Sequence, residues 1–372
     1  MRLSHEDLPM FFDEAHRALG ERLVGVAAAI ARSEQSDDGA VVSALAAANL
    51  FELVATADAR SLCLAREMLG YVSPRADSIF AVQGLGVRAL LLAGSPEQRA
   101  EIANYARGAN VAAFALTEPE AGSDVASIQT RAVTVPEGYR LDGDKLLISN
   151  LGIADHATVI ASTDPSLGSR GLTAFWVPLD LPGVTVTPMT ATAPHPIGAL
   201  ALRNVIVPAT ARIGDPGQGM SLAMQTLDAF RVSVGAAAVG MARRALDEAT
   251  TFVTQRVQFG KPLSEQQLVQ AHLADMVVDL DAARLLVLRA AHRKDTTEGR
   301  VTMEVSIAKL GATEAAQRVI DRAVQLFGGR GVMAGAVVEH LYRAIRPLRI
   351  YEGTSEIQRT IIGRAQAARG TS

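Results

Sequence analysis

The sequence predicts a mainly helical protein with a β domain set in its middle, on three observations. Apolar residues recur at three- and four-residue spacing up to about residue 110. Nine of the fifteen prolines then fall between 112 and 213, where the helical period gives way to short β-type runs. Beyond Gly214 the helical period returns and holds to the end. The expected division is a helical domain over 1–111, a small β sandwich or barrel over 112–213, and a four-helix bundle over 214–372.

In the first zone, Leu and Ala recur around Ala57–Met68 and Gly86–Leu92. Ser95-Pro96-Glu97-Gln98 is a capping box with Pro in the first turn, and the helix it opens should stop at Gly108. In the middle zone the runs Arg131–Val135, Tyr139–Leu141, Lys145–Ser149, Ala157–Ser162, Leu172–Pro178, Gly183–Thr187 and Ala199–Val207 are bounded by Gly, Pro, Asn or Asp. They read as short antiparallel strands. In the last zone one stripe runs Leu227, Phe230, Val234, Ala238, Met241, Ala245 and another Val305, Ala308, Ala312, Val319, Ala323, Phe327. Ser264-Glu265-Gln266-Gln267 reads as a second capping box.

Composition narrows the function classes. Apolar residues make up 49% and charged residues 20%, which excludes a disordered chain. The 36 basic and 39 acidic residues leave a net charge of −3, arguing against a nucleic-acid or anionic-membrane partner. Only Lys145, Lys261, Lys294 and Lys309 are lysines, so anion contacts fall to arginine and backbone amides. The single cysteine, Cys63, forms no intrachain disulfide and no Cys-built metal site. There is no uncharged run of 18 residues and no apolar core at the start leading to a cleavage site. A cytoplasmic protein is expected.

Three motifs invite chemistry and lose to plainer readings. Gly84-Leu85-Gly86-Val87-Arg88-Ala89 fits a dinucleotide fingerprint, but the acidic residue some 20 positions on is Glu101, inside the helix opened after Ser95. Helix packing explains these glycines better. Ser306-Ile307-Ala308-Lys309 has the spacing of a Ser/Lys acyl-transfer pair without its companion motifs, so a solvent-facing lysine one turn from a serine is expected. The seven histidines are scattered without ligand spacing, and each reads as a surface or interface residue; no metal is expected.

Two segments are not needed for packing. Phe114–Val125 (FALTEPEAGSDV) places small and hydroxylated residues where the helical zone meets the β zone, so backbone amides can approach a phosphate or a heteroaromatic ring edge. Arg349–Arg359 (RIYEGTSEIQR) sets Glu352 before glycine and beside Tyr and Ile, where burial would raise its pKa toward a value suited to proton abstraction. Taken singly, each is also an ordinary turn or helix cap.

Five motifs occur together in order: Leu-Thr-Glu-Pro-x-Ala-Gly-Ser-Asp (116–124), Ile148-Ser149-Asn150, Arg-Val-Gln-Phe-Gly-Lys-Pro (256–262), Gln-Leu-Phe-Gly-Gly-Arg-Gly (325–331) and Tyr-Glu-Gly-Thr-Ser-Glu-Ile-Gln-Arg (351–359). With them the chain resembles the acyl-CoA dehydrogenase family of flavoproteins over about residues 50–365. The resemblance implies FAD and α,β-dehydrogenation of an acyl thioester. Glu352 matches the base that removes the α-proton as the β-hydride passes to flavin N5. Some relatives carry the base near Leu227–Arg231, where this chain has Asp228 but no Glu. The Glu352 backbone N–H is expected to polarise the thioester carbonyl.

For FAD, the resemblance implies ring contacts from Phe114, Leu116 and Thr117, a pyrophosphate turn at Gly122 and Ser123, and a hydroxyl near N5 from Ser149. Thr354 matches a further cofactor contact. Arg256, Phe259, Gln325 and Gly329 match residues that reach a neighbouring subunit's FAD, which implies a homo-oligomer. Arg231 and Gly353 match positions along the acyl carrier arm.

Three departures bear on the substrate. The loop Pro-Glu-x-x-Gly-Gly-x-Gly is replaced by Ala-Asn-Leu-Phe-Glu-Leu-Val (48–54). Leu147 stands where many relatives have an aromatic residue against the flavin, which unsettles electron exit to a partner flavoprotein. The chain is also short, which sets it apart from the larger peroxisomal-type oxidases. An altered mouth would suit a thioester on an acyl carrier protein, as in polyketide pathways making hydroxy- or methoxymalonyl extender units, as well as one on CoA. A flavin-binding protein without turnover is the alternative of a different class.

Overall fold

A computed structural model of the chain describes residues 1–56, 58–193 and 195–369. Ala57, at the head of the first apolar run, and the last three residues of the expected bundle lie outside the described residues. Helices come first: α1 (Ser4–Asp7), α2 (Glu14–Ser33), α3 (Asp38–Ala47), α4 (Leu53–Thr56), α5 (Ala59–Val72), α6 (Pro74–Ala93) and α7 (Pro96–Ala106). Eight strands follow: β1 (Ala112–Ala115), β2 (Arg131–Val135), β3 (Gly138–Ser149), β4 (His156–Ser162), β5 (Leu172–Pro178), β6 (Val184–Pro188), β7 (Ile197–Val207) and β8 (Arg212–Ile213). Then come α8 (Gly219–Gln255), a hairpin of β9 (Val257–Gln258) and β10 (Lys261–Pro262), α9 (Gln267–Thr296), α10 (Thr302–Phe327), α11 (Val337–Ile345) and α12 (Ser355–Arg369). Along the chain, helical N- and C-terminal parts thus come before and after a sheet.

Contacts group the chain into two compact units, one of Met1–Glu34, Asp58–Asp77 and Arg231–Ser372, the other of Gln35–Ala57 and Ser78–Phe230. The second contains the sheet. Its order is β6-β7-β3-β2-β4-β5-β8, with β1 beside β4. The sheet is mixed: β1 runs parallel to β4, and β2 meets β4 in parallel at Arg131–Ser162. The expectation of antiparallel strands alone is corrected here. β1 is also a strand that the turn-bounded runs did not reveal, since four residues rich in alanine carry little β signal. The core under the sheet includes Leu141, Val159, Phe175, Leu202 and Val207.

In the same unit the capping box at Ser95 forms as expected: Gln98 N donates to Ser95 Oγ (3.3 Å) and the Gln98 side chain accepts from Ser95 N (3.0 Å). The Gly84–Ala89 fingerprint lies inside α6. A Cβ on Gly84 would stand 2.3 Å from the Phe230 ring, and one on Gly86 2.6 Å from Ala112 Cβ. Close packing is what these glycines serve. α6 is long and apolar enough to pass for a membrane span by length and composition, yet 67% of its apolar window is buried in the fold.

The first unit is helical. α5 and α8 cross closely because glycines face backbone: a Cβ on Gly70 would lie 2.3 Å from Ala237 O, and one on Gly240 2.1 Å from Glu67 O. α9 packs along α10, and Gly235 of α8 leaves room for Val287 of α9 and Ala312 of α10. The second expected capping box does not form. Leu263–Glu265 is a 3₁₀ turn, and α9 starts at Gln267 without a side-chain cap. Ser264 serves instead as an acceptor, its carbonyl taking Gln270 Nε2 at 3.0 Å.

Two histidines expected at a surface or interface are buried: His5 is 6% exposed and His16 3%. The His16 ring bridges Asp13 (2.7 Å) and Asp58 (3.1 Å), both helix N-caps. His16, Asp58 and Asp295 together have metal-like spacing. The carboxylates are already engaged, however, Asp58 by Ser61 N and Asp295 by Ala59 N and Arg60.

Candidate active site

Glu352 sits on the turn between α11 and α12 with φ +53°, followed by Gly353 at φ +91°. Two successive left-handed residues make a sharp turn, and a non-glycine residue there is strained unless its surroundings hold it. Three donors from three helices do so. Arg231 Nε of α8 donates to Glu352 O (2.9 Å), Lys309 Nζ of α10 to Gly353 O (2.8 Å), and Gln358 Nε2 of α12 to Gly353 O (3.0 Å). The next residue, Thr354, accepts Ile357 N at its hydroxyl (3.3 Å) and so caps α12.

The Glu352 carboxyl is drawn inward. Its Oε2 is covered from solvent and has no hydrogen-bond partner. Burial raises its pKa above the ordinary carboxylate range. The nearby Arg66, Arg231 and Lys309 work against that shift, and Asp77 works with it. Arg66 is itself fully buried, bonded to Asp77 through Nε and Nη2 (both 2.8 Å) and to Ser233 Oγ (3.1 Å). An ionisable carboxyl with a raised pKa, a free oxygen and a rigid backbone suits proton abstraction.

Arg256, Phe259, Gln325 and Gly329 lie elsewhere in this unit. Arg256 follows α8, and Phe259 forms the tip of the β9–β10 hairpin at φ +53° and 93% exposed. Phe252, one turn before Arg256, stacks on Phe327 between Gln325 and Gly329 (centroids 4.3 Å apart). Gln325 lies sixteen residues beyond Lys309 along α10, which is about 24 Å at the helical rise. The Phe252–Phe327 stack thus joins the end of α8 to the end of α10 at a point well away from the Glu352 turn.

Phe114, Leu116, Thr117 and Ser149 lie in or beside β1 and β3, in the other unit. Phe114 is in β1, and Leu116 and Thr117 follow it. Leu146 N donates to Thr117 O (2.9 Å) and Lys145 Nζ to Leu116 O (3.1 Å). Ser149 ends β3, and its neighbour Asn150 reaches Ala112 O (3.1 Å) at the start of β1. Irregular pairing between Lys145 and Ile148 puts Leu147 at φ +57° and turns its side chain out, 54% exposed, while Lys145 is buried.

The buried Lys145 bonds Glu118 (2.8 Å), which also accepts Gln129 N, Thr130 N and Thr130 Oγ. Burial lowers Lys145 to about 8. Glu118 stays below its usual value because Lys145 and these donors outweigh its own burial. This cluster anchors the 114–118 segment to the sheet. Gly122 and Ser123, past the tight Glu118–Ala121 turn, are exposed, and the space where a Gly122 Cβ would stand is open. Hydroxyls, amides and open room beside an apolar strand fit a flavin with its pyrophosphate.

Sequence reasoning passed over Lys309, Arg66, Asp77 and Gln358. Lys309 was expected at the surface and is 0% exposed, as Ser306 is 1%. One signal was present: a lysine beside the apolar stripe of α10 in a chain with only four lysines.

The acyl-CoA dehydrogenase middle-domain model matches residues 113–205, and the C-terminal-domain model matches 217–367. The chain is 40% identical over 314 residues, 83% of its length, to the probable acyl-CoA dehydrogenase FadE25 of Mycobacterium tuberculosis, covering 80% of that protein. It superposes on butyryl-CoA dehydrogenase from Megasphaera elsdenii with a TM-score of 0.89 and 31% identity, covering 96% of this chain and 99% of that one. The prolyl acyl carrier protein oxidase AnaB is also similar, with a TM-score of 0.86 and 26% identity over 95% and 99% of the two chains. With its two domains matched and its fold shared nearly end to end, the chain belongs to the acyl-CoA dehydrogenases, a family of FAD-dependent oxidoreductases.

Proposed function

We propose that this chain performs α,β-dehydrogenation of an acyl thioester with Glu352 as the base. The observation that carries this is the covered, unpartnered Glu352 Oε2 on a turn clamped by Arg231, Lys309 and Gln358. Glu352 would take the α-proton, and its raised pKa brings its basicity closer to neutral pH. Its own N–H, fixed by the same turn, would donate to the thioester carbonyl, where negative charge develops. FAD, when bound, supplies the acceptor for the hydride lost from the β-carbon. Phe114, Leu116 and Thr117 would hold its ring, Gly122 and Ser123 its pyrophosphate, and Ser149 and Thr354 would add hydroxyl contacts. Arg231 and Gly353 would flank the acyl carrier arm.

The carrier divides into two readings. The similarity to butyryl-CoA dehydrogenase supports CoA. The similarity to AnaB and the changed stretch at 48–54 support an acyl carrier protein, as in the supply of polyketide extender units. In that stretch Leu50, Phe51 and Val54 are buried, and Phe51 stacks on Phe80, so an apolar plug occupies these positions. The purified protein is expected to be yellow and to bleach anaerobically with an acyl thioester. Matched acyl-CoA and acyl-carrier-protein substrates decide the carrier: bleaching with CoA esters alone removes the second reading. A yellow protein that no acyl thioester bleaches is a flavin-binding protein without this turnover.

The active form is proposed to be a homo-oligomer. Phe259 and Val257 on the hairpin and Leu268 and Val278 on α9 are large apolar side chains, 52–93% exposed. A neighbouring copy would cover them and bring Arg256, Gln325 and Gly329 toward its own FAD. Sedimentation at micromolar concentration should give a dimer or larger, and a monomer that keeps full FAD would exclude the shared site.

A further inference from the structure

We propose that Lys309 is a positioning residue for Glu352: its ammonium pins the turn through the Gly353 carbonyl and supplies positive charge beside the Glu352 carboxylate. This rests on the reading of Glu352 as the base.

A lysine ammonium is compact and strongly hydrated, and removing it from water costs several kcal/mol, about the penalty for any buried ion, unless charge and hydrogen bonds compensate. Lys309 is nevertheless 0% exposed on α10. Its bond to Gly353 O (2.8 Å) satisfies one of three protons and leaves the charge to be balanced. The charged groups acting on it are Glu352, Arg231, Glu314 and Glu356, with Glu352 the strongest. Glu314 is already engaged by Arg349 (2.9 Å) and Ser355 Oγ (2.6 Å). Glu356 is solvent-exposed and lies 3.5 Å from Arg359. Glu352 is the carboxylate with a covered, unpartnered oxygen.

The two roles meet in the same turn. Without the donors at Glu352 O and Gly353 O, the left-handed Glu352 would relax and its carboxyl would lose its inward aim. Burial lowers Lys309 to about 8, so it still carries its charge at neutral pH. It is therefore a cation held against a carboxylate whose charged form burial disfavours. Arg66, Arg231 and Asp77 complete the charged groups around Glu352.

The chain has only four lysines, so lysine labelled with ¹³C at Cε gives four resonances to titrate in the FAD-loaded protein. Lys145 and Lys309 are both lowered to about 8, and Lys145 answers to Glu118 instead. In Glu352→Gln, one low-titrating lysine is expected to shift to lower pH by about one unit, a tenfold change in its equilibrium. Neither lysine moving would overturn the proposal, and this arm needs no change at Lys309.

The second arm is Lys309→Gln, whose amide can still donate to Gly353 O. Its FAD content should stay native, and the rising limb of the pH profile for anaerobic bleaching should move up by about one unit, since losing a nearby cation disfavours the carboxylate. An unmoved limb in a folded, FAD-loaded variant would show that the lysine only packs. If Glu352→Gln itself still bleaches, the base reading fails while the lysine titration continues to decide the coupling. If Glu352→Gln is dead and both lysine readouts stay put, the base reading stands and this inference falls.

Discussion

Glu352→Gln is expected to fold, retain FAD and lose substrate-driven bleaching by about 10²–10⁴-fold, the usual contribution of a positioned general base. The substitution preserves shape. The acceptors that hold the turn are the backbone carbonyls of residues 352 and 353, bonded to Arg231, Lys309 and Gln358, so only the ionisable group is lost. In the wild-type protein the sign of the pH dependence follows from the raised pKa. Glu352 must be deprotonated to accept the α-proton, so the rate falls as pH drops through a value above the ordinary carboxylate range. Anaerobic stopped-flow traces against pH measure both effects. Undiminished bleaching in Glu352→Gln would place the base on another residue.

The largest stability effect is expected at Asp77→Asn. Asp77 and Arg66 form a bidentate pair with side chains 2% and 0% exposed. Removing one member leaves a guanidinium charge in the core without its bidentate carboxylate, beside Ser233 Oγ, Tyr351 and the Glu352 carboxyl, at a cost of about 3–5 kcal/mol. Urea denaturation should show this as a lower midpoint. Replacing both by apolar residues, Arg66→Met with Asp77→Leu, should recover much of the loss, because no uncompensated charge remains. The same Asp77→Asn change should move the bleaching limb to lower pH, since the Asp77 charge raises Glu352 and Arg66 lowers it. A stability change under about 1 kcal/mol would mean that Arg66 is compensated by other groups.

The fold was legible where local chemistry and tertiary placement agree. Arg131–Val135 and Leu172–Pro178 are strands at the expected bounds, and Ser95 caps α7, because alternation, turn residues and caps act within a few positions. Ser264 misled because a 3₁₀ turn after Pro262 uses up the residues a cap would need. β1 escaped because its identity as a strand depends on β4, over forty residues on, with Ala112 paired to His156. Lys309 misled for a related reason. Helical spacing shows which residues share a face, but not that a buried turn from another part of the chain waits opposite a lysine.

By itself the sequence determined the helical–β–helical order and the family and pointed to Glu352 as the candidate base, since ordered motifs and hydrophobic periods are properties of neighbours along the chain. Only the tertiary structure decided that the sheet is mixed, that Lys145 and Lys309 are buried cations, and that Glu352 is left-handed with one oxygen unsatisfied. Burial and electrostatic partnership depend on what residues tens or hundreds of positions away bring alongside: Arg66, Arg231 and Lys309 meet at Glu352 from three different helices.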